Sequence, residues 1–166
     1  MSVGQRYICW DAAVPTTGKL TPIALVASTT AKTLLAVTAG STDPLDLVEW
    51  GCTFDGAALG AGIEMELMET TNVAPTGGTA VTPTNYTDPN AVASNSTAMF
   101  GPTAEGTIVA TCRVFDACLV DQVSGYFKQF PLGERPQVKA GNVLRIRYST
   151  PAGVAPNCLC YAIWAE

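Results

Sequence analysis

The chain has 166 residues, a formal net charge of −5 and no histidine. Because histidine is the commonest general base near neutral pH and the commonest ligand of catalytic zinc, its absence disfavours the usual triads and zinc hydrolase sites. The acidic balance disfavours nucleic acid as a partner, and no apolar run approaches the roughly 20 residues of a membrane helix. We therefore expect no enzyme, no catalytic, cofactor-binding or metal-binding residues, and neither a nucleic-acid nor a membrane partner.

The first residues combine one arginine with two aromatic side chains, Arg6, Tyr7 and Trp10. This composition is typical of interface hot spots, so residues 1–20 are interpreted as an N-terminal arm that docks on a partner. Folding of the arm back onto its own domain is an open alternative. The segment lacks the apolar stretch of a signal peptide, so we expect synthesis in the cytoplasm.

The clearest alternation of apolar and polar residues covers residues 46–54, after two shorter candidate strands at residues 22–26 and 33–38. A period of two residues predicts a strand with one buried face. The residues expected on that face are Val48, Trp50, Cys52 and Phe54.

The turn pair Asp55-Gly56 follows this strand and tolerates the positive φ of a tight turn. We therefore predict a hairpin to a second strand that starts at Ile63, where apolar residues alternate with glutamates. Glu64 and Glu66 would share the outward face. Such a carboxylate pair could serve glycoside hydrolysis, but exposed acidic pairs are common on sheets and the hydrolase interpretation is disfavoured.

Residues 72–102 are dominated by Thr, Pro, Gly, Ala, Asn and Ser. This composition predicts a long loop, with one short edge strand at residues 79–81. Loops of this length are commonly functional surfaces or pack on another subunit.

The second half of the chain again predicts strands. In one of them Arg145 and Arg147 face away from the apolar residues, which predicts a wetted or partner-facing side. With about eight strands and no alternation with helices, we expect an all-β fold, an antiparallel two-sheet β-sandwich of jelly-roll type, as one domain over residues 21–166. The strands expected in this half cover residues 107–115, 126–130, 143–149 and 158–164.

The six cysteines could indicate a disulfide framework, but a chain of this length with no signal peptide predicts reduced thiols in the core. Structural zinc usually takes cysteine pairs separated by two to four residues, a spacing that these cysteines lack, so no zinc is expected. The cysteines are Cys9, Cys52, Cys112, Cys118, Cys158 and Cys160.

Charge is unevenly distributed along the chain. Residues 1–125 carry four basic and twelve acidic side chains, a net of −8, whereas residues 126–166 carry five and two, a net of +3. Two interpretations are open: the C-terminal strands neutralise the acidic ones within one fold, or opposite charges meet when one copy docks on another or on a charged partner.

Three stretches, residues 47–56, 104–116 and 128–136, resemble small virion proteins of tailed bacteriophages, closest to the head decoration (cement) proteins. The resemblance implies a small β-rich protein that binds the outer surface of the mature capsid, often as a trimer, and stiffens it. It further implies a homotrimer, the phage major capsid protein as partner and a place on the capsid exterior after synthesis in the host cytoplasm. It implies no catalytic residues.

The partner-docking candidates on this interpretation are Arg6, Tyr7, Trp10, Arg145 and Arg147. The alternative is a minor tail protein or a receptor-binding phage protein that binds a glycan on the host surface. That alternative expects exposed aromatic side chains in the long loop, whose aromatic residues are Tyr86 and Phe100.

Overall fold

The computed structural model describes residues 4–56, 61–71, 73–108 and 111–166. Within these ranges the chain forms strands and no α-helix, so it has no helix that could cross a bilayer. The strands are β1 (Arg6–Trp10), β2 (Ile23–Ala24), β3 (Lys32–Thr38), β4 (Leu45–Phe54), β5 (Ile63–Thr70), β6 (Thr79–Val81), β7 (Thr84–Asn85), β8 (Thr97–Phe100), β9 (Arg113–Val120), β10 (Gly125–Gln129), β11 (Gln137–Val138), β12 (Val143–Ser149) and β13 (Asn157–Ala165).

Two antiparallel sheets pack against each other. Sheet A has the order β10-β4-β13-β1-β7, with β11 beside β4 and β2 beside β13, and sheet B has the order β6-β8-β3-β12-β5-β9. Among the eight main strands the first pairs with the last and so on inward: β1 with β13, β3 with β12, β4 with β10, and β5 with β9. This rolled-up ribbon is a jelly roll, so the predicted fold class is confirmed.

The chain between β5 and β9, residues 71–112, is called the connecting segment. It supplies β6 and β8 to the β3 edge of sheet B and β7 to the β1 edge of sheet A. One side of the sandwich is therefore closed by short strands, which protects edges that would otherwise present unpaired backbone groups. The strand at residues 79–81 is confirmed, but the remainder is less of a loop than predicted.

The core lies between the two inner faces. Leu35, Met65 and Ile146 of sheet B meet Trp50 and Trp164 of sheet A, and each is at most 1% exposed. Burial of such apolar surface is the main favourable term in folding. All six cysteines are free thiols, and four of them, on β1, β4 and β13, are buried in this core.

The predicted hairpin after residue 54 is wrong. Strand β4 pairs with β10, β11 and β13, whereas β5 pairs with β9 and β12 in the other sheet. The chain after Asp55 therefore crosses between sheets. A turn pair fixes only the local backbone direction, while the partner of each strand is fixed by burial of its apolar face.

The inner face of β4 also differs from its prediction at one residue. The register with β13 shifts so that Glu49 pairs with Ile163 but Leu47 pairs with Trp164, which leaves Val48 as the extra residue of a bulge. Leu47 consequently joins the main core, and Val48 joins a small cluster with Ile163 and Ala165. A bulge reverses the alternation, which no period-two pattern predicts.

Strand β9 begins at Arg113 rather than at residue 107, and Val114 is 55% exposed rather than inward. Residues 109–110 of the predicted strand lie outside the described residues. The strands predicted at residues 33–38, 126–130, 143–149 and 158–164 are confirmed to within one residue at each end.

Candidate docking surfaces

The N-terminal candidates belong to the sheet. Strand β1 lies between β13 and β7, and Tyr7 is 3% exposed, with its hydroxyl 2.9 Å from the carbonyl oxygen of Val92. Arg6 is half-buried on the same strand. The structure thus differs from the predicted arm over residues 1–20, and of the two alternatives it shows the segment folded onto its own domain. Residues 1–3 lie outside the described residues.

Arg145 is fully buried on the outer side of sheet B. Its guanidinium donates hydrogen bonds to Thr70 Oγ1 at 3.0 Å, to the carbonyl oxygen of Glu105 at 2.7 Å and to that of Val73. The Glu105 carboxylate lies 3.4 Å away and balances the charge. The prediction of a wetted or partner-facing side is therefore wrong at this residue, because Arg145 holds the chain's own connecting segment against the sheet.

Arg147 is paired rather than free. Its guanidinium donates to Glu66 Oε2 at 2.6 Å across the β12–β5 pair, and its side chain is 14% exposed. Three of the four ion pairs in the described ranges join a basic residue after 125 to an acidic residue before it. For these pairs the uneven charge is neutralised within one fold, as the first interpretation expects.

Trp10 takes part in a row of aromatic side chains on the outer face of sheet A. Across four neighbouring strands the register places Phe127, Gly51, Tyr161 and Trp10 side by side. The rings of Trp10 and Tyr161 lie 4.9 Å apart, and Phe127 is 72% exposed. We call Trp10, Phe127 and Tyr161 the aromatic row.

Gly51 makes this arrangement possible. A Cβ atom at this position would lie 2.8 Å from Tyr161 Cε1, closer than carbon atoms approach, so only glycine lets the ring lie against the sheet. Sequence reasoning missed this residue. A glycine inside an otherwise regular strand often marks a close approach, and that signal was present.

The outer face of sheet A carries little free charge around the aromatic row. The Tyr161 hydroxyl donates to Glu49, and Gln129 Nε2 donates to the other carboxylate oxygen at 3.5 Å. Burial and the nearby carboxylate both raise the pKa of Tyr161, so its hydroxyl stays protonated. Ile8 packs beside the row against the small cluster that contains Ile163. The face can therefore meet an apolar surface without leaving Glu49 unpaired.

The other side of the sandwich, where β9 and β10 end their sheets, is not covered by short strands in the described ranges. We call its four exposed aliphatic residues the open-side residues; they lie on β9 and in the turns at the two ends of β10. They are Val114 (55% exposed), Leu119 (70%), Val123 (41%) and Leu132 (86%).

A largely buried carboxylate links the strands on this side of the sandwich by hydrogen bonds. Asp116 of β9 accepts hydrogen bonds from Trp50 Nε1 at 3.0 Å, from the Tyr126 hydroxyl at 2.9 Å and from Lys128 Nζ at 2.8 Å. Burial and the Asp116 charge raise the pKa of Tyr126 to about 12. Strands β9 and β10, which carry or adjoin the open-side residues, are therefore joined to each other and to β4 by hydrogen bonds across both sheets.

Two further carboxyl groups are notable: Asp11 is buried and Glu166 is half-buried. Asp11 accepts a hydrogen bond from the Cys160 backbone at 2.9 Å through Oδ1, while its Oδ2 is buried without a partner, and burial raises its pKa to about 7. Glu166 accepts from Ser94, Ser96 and Trp164, which fastens the connecting segment to the end of β13. In the parts of the chain that the structure describes, no group of three or more Cys, Asp or Glu is placed to hold a metal ion.

Comparison with protein-family models, with curated proteins and with solved structures found no match. Of the five predicted docking residues, Trp10 lies on a surface that is open to a partner. Tyr7 and Arg145 are buried, Arg147 is ion-paired, and Arg6 is half-buried.

Proposed function

We propose that this protein is a structural virion protein, a capsid decoration (cement) protein that forms a homotrimer and binds the outer surface of a tailed-phage head through the major capsid protein. The observation that carries the proposal is the set of open-side residues, whose exposed fractions run from 41% to 86%. All four lie on one side of the sandwich, where their exposed apolar side chains offer a surface for contact with another protein.

The resemblance to virion proteins supplies the class of partner. Val114 and Leu132 lie within two of the three stretches that carry it, residues 104–116 and 128–136. The acidic net charge suits the exterior of the shell, where DNA is not the partner. Double-sheet jelly rolls also serve in viral capsid domains, although a fold alone does not fix a function.

A second candidate is a minor tail or receptor-binding protein that recognises a host glycan. One observation favours it: Tyr86 of the connecting segment is 57% exposed, as a glycan platform requires. Jelly rolls include lectin domains. The two candidates differ in copy number, because a shell takes hundreds of decoration subunits and a tail tip takes a handful.

The test is co-sedimentation with capsids that lack the protein. We expect the intact chain to sediment with capsids at hundreds of copies per particle. Leu119→Ser and Leu132→Ser together should reduce the bound amount at least tenfold, because both side chains lose apolar contact. Val26→Ser is the matched control, since Val26 is 70% exposed but lies outside the open side. A handful of bound copies favours the tail candidate, and no binding contradicts the decoration function.

A further inference from the structure

The middle of sheet A gathers thiols that no docking surface uses. Cys9, Cys52, Cys158 and Cys160 lie on the inner face of β1, β4 and β13, and each is at most 2% exposed. All four are free thiols. In the register of β4 with β13, Cys52 lies directly opposite Cys160. Among the strand pairs of the described residues, this register alone sets two cysteines opposite each other.

The Cys52–Cys160 pair is of the non-hydrogen-bonded kind. Cys160 directs its backbone groups away from β4: its N–H donates to Asp11 Oδ1 at 2.9 Å, and its carbonyl oxygen accepts from the Asp11 N–H at 3.0 Å. On β4 the Phe54 N–H donates to Ser124 at 3.0 Å, away from β13. Alternate residues of a strand direct their backbone groups to the same side, so those of Cys52 also point away from β13. In such a pair the two Cα atoms are about 4.5 Å apart.

This spacing fits a disulfide, because the Cα atoms of bonded cysteines usually lie about 4.4–6.8 Å apart. We propose that Cys52 and Cys160 are a redox pair, which a low-molecular-weight disulfide of the glutathione class oxidises to a disulfide between β4 and β13. The pair is then reduced in the cytoplasm, where glutathione keeps thiols reduced, and linked in an oxidising medium.

The other cysteines of the core are placed less well for a bond. Cys158 and Cys160 are two residues apart on one strand, so their parallel side chains are about 6.8 Å apart, whereas bonded Cβ atoms lie about 3.5–4.5 Å apart. Cys52 with Cys158, and Cys9 with Cys160, are diagonal pairs at about 7–8 Å. Cys118 belongs to the facing sheet, about 10 Å away. The geometry therefore favours the Cys52–Cys160 bond.

Formation of the bond transfers two electrons to the glutathione disulfide. The thiolate of one cysteine attacks a sulfur of oxidised glutathione, forms a mixed disulfide and expels the first glutathione thiolate. The thiolate of the other cysteine attacks the protein sulfur of that mixed disulfide and expels the second. The two thiol protons pass to the two expelled thiolates, so two protein thiols become one disulfide and one oxidised glutathione becomes two reduced ones.

Burial decides when this exchange takes place. Cys52 and Cys160 are at most 1% exposed, and burial raises the pKa of both thiols. Because the thiolate is the attacking species, the folded core exchanges slowly. The bond therefore forms while the chain is unfolded or open, and folding selects the two cysteines that the sheet sets opposite each other.

The bond encloses residues 53–159, which is most of the chain. A cross-link over so long a loop restricts the unfolded chain and thereby stabilises the folded one. Oxidation of the pair therefore stabilises the fold, and the fold stabilises the oxidised pair by the same amount.

Refolding of the intact chain tests the inference. Reduced protein is diluted from urea into a buffer of reduced and oxidised glutathione, then alkylated and digested for peptide mass spectrometry. We expect a peptide linked through Cys52 and Cys160 in most molecules, with the other cysteines alkylated. The urea midpoint should rise by about 1 M or more, and dithiothreitol should reverse the rise. Cys160→Ala should abolish both effects. Cys9→Ala is the matched control, since Cys9 is also buried, at 2% exposure, and should leave the bond intact.

Peptide mapping of the intact chain decides the inference even where an alanine variant does not fold. The Cys52–Cys160 peptide in the intact chain and in Cys9→Ala supports it. Refolded protein that has the native circular dichroism spectrum and keeps every thiol free overturns it. A bond that joins Cys158 to Cys160, or any other pair, also overturns it. None of these outcomes depends on capsid binding, so the proposed function is tested separately.

Discussion

Asp11 and Glu69 are both buried carboxyl groups, yet their pKa values move in opposite directions. Burial acts to raise the pKa of both. Glu69 accepts hydrogen bonds from Asn142, from the Lys139 backbone and from Arg113, and these outweigh burial and lower its pKa. Asp11 has a donor on one oxygen and none on the other. The three donors of Glu69 and the positive charge of Arg113 therefore favour its charged form, whereas one donor at Asp11 does not offset burial.

The Asp11 site predicts an unusual pH dependence. Its pKa is raised from 3.8 to about 7 in the folded protein, so folding favours the protonated group. Its effect on stability is absent at low pH, where both states are protonated, and becomes unfavourable as pH rises from about 4 to about 7, by up to about 1.4 kcal/mol per pH unit. Asp11→Asn removes this loss.

We therefore expect the stability of Asp11→Asn relative to the intact chain to increase over that window and to be constant above it. Urea unfolding of both proteins at pH 4, 5.5 and 8 measures the difference. Parallel pH profiles would show that the carboxyl is ionised in the folded protein.

Trp50 combines an apolar and a polar role. It is 1% exposed, and its Nε1 donates to Asp116 at 3.0 Å. Trp50→Ala should lower the free energy of unfolding by about 3–5 kcal/mol, the usual result of emptying an aromatic site. Trp50→Phe keeps most of the ring and removes the hydrogen bond to a charged acceptor, so it should lower it by about 2 kcal/mol. A Trp50→Phe variant that is as stable as the intact chain in urea unfolding would contradict the structural role of the Asp116 bond.

At the scale of elements, the connecting segment depends on one side chain of the sheet beneath it. Arg145→Leu removes every hydrogen bond that the buried guanidinium donates and leaves the carbonyls of Val73 and Glu105 without it. We expect a loss of about 3–5 kcal/mol and faster hydrogen exchange within residues 73–108. Arg147→Gln is the control, because it removes one partly buried ion pair and no contact with the connecting segment, and it should lower stability by about 1 kcal/mol. Equal effects of the two changes would mean that Arg145 does not hold the segment.

The sequence predicts elements well where local signals suffice. Strand β12 is predicted at its observed residues because its alternation is unbroken, and β6 because glycine and proline bound it. The partner of each strand is not local information, which is why the hairpin after β4 fails. The role of Arg145 is hidden for the same reason, since its partners lie 40 to 75 residues away.

The candidate surfaces could be predicted only in part. Trp10 was selected from its neighbours in sequence, but Tyr161 and Phe127 join it through a register that is set by the whole sheet. Alternation places Val114 in the core, whereas it is exposed on an edge strand. Exposure of this kind depends on which strands form the edges of the sheets, and no local stretch of the sequence shows this.

At the scale of the whole molecule, three of the five basic side chains after residue 125 form ion pairs within the same copy. Lys128, Arg145 and Arg147, all after residue 125, pair with Asp116, Glu105 and Glu66. The same groups would have to be free if the basic third of one copy met the acidic strands of the next. For these three pairs the structure supports the first interpretation of the uneven charge, neutralisation within one fold.

Neutralisation of these charges within one copy predicts how the proposed trimer responds to salt. Ionic contacts at a subunit interface weaken as salt shortens the Debye length from about 14 Å near 0.05 M to about 4 Å near 0.5 M, whereas apolar contacts do not. We expect the dissociation constant of the proposed trimer to change by less than about threefold over that range, because Lys128, Arg145 and Arg147 already have their partners on their own copy. Sedimentation equilibrium at three salt concentrations measures it. A loss of association of tenfold or more with rising salt would show that ion pairs hold the copies together.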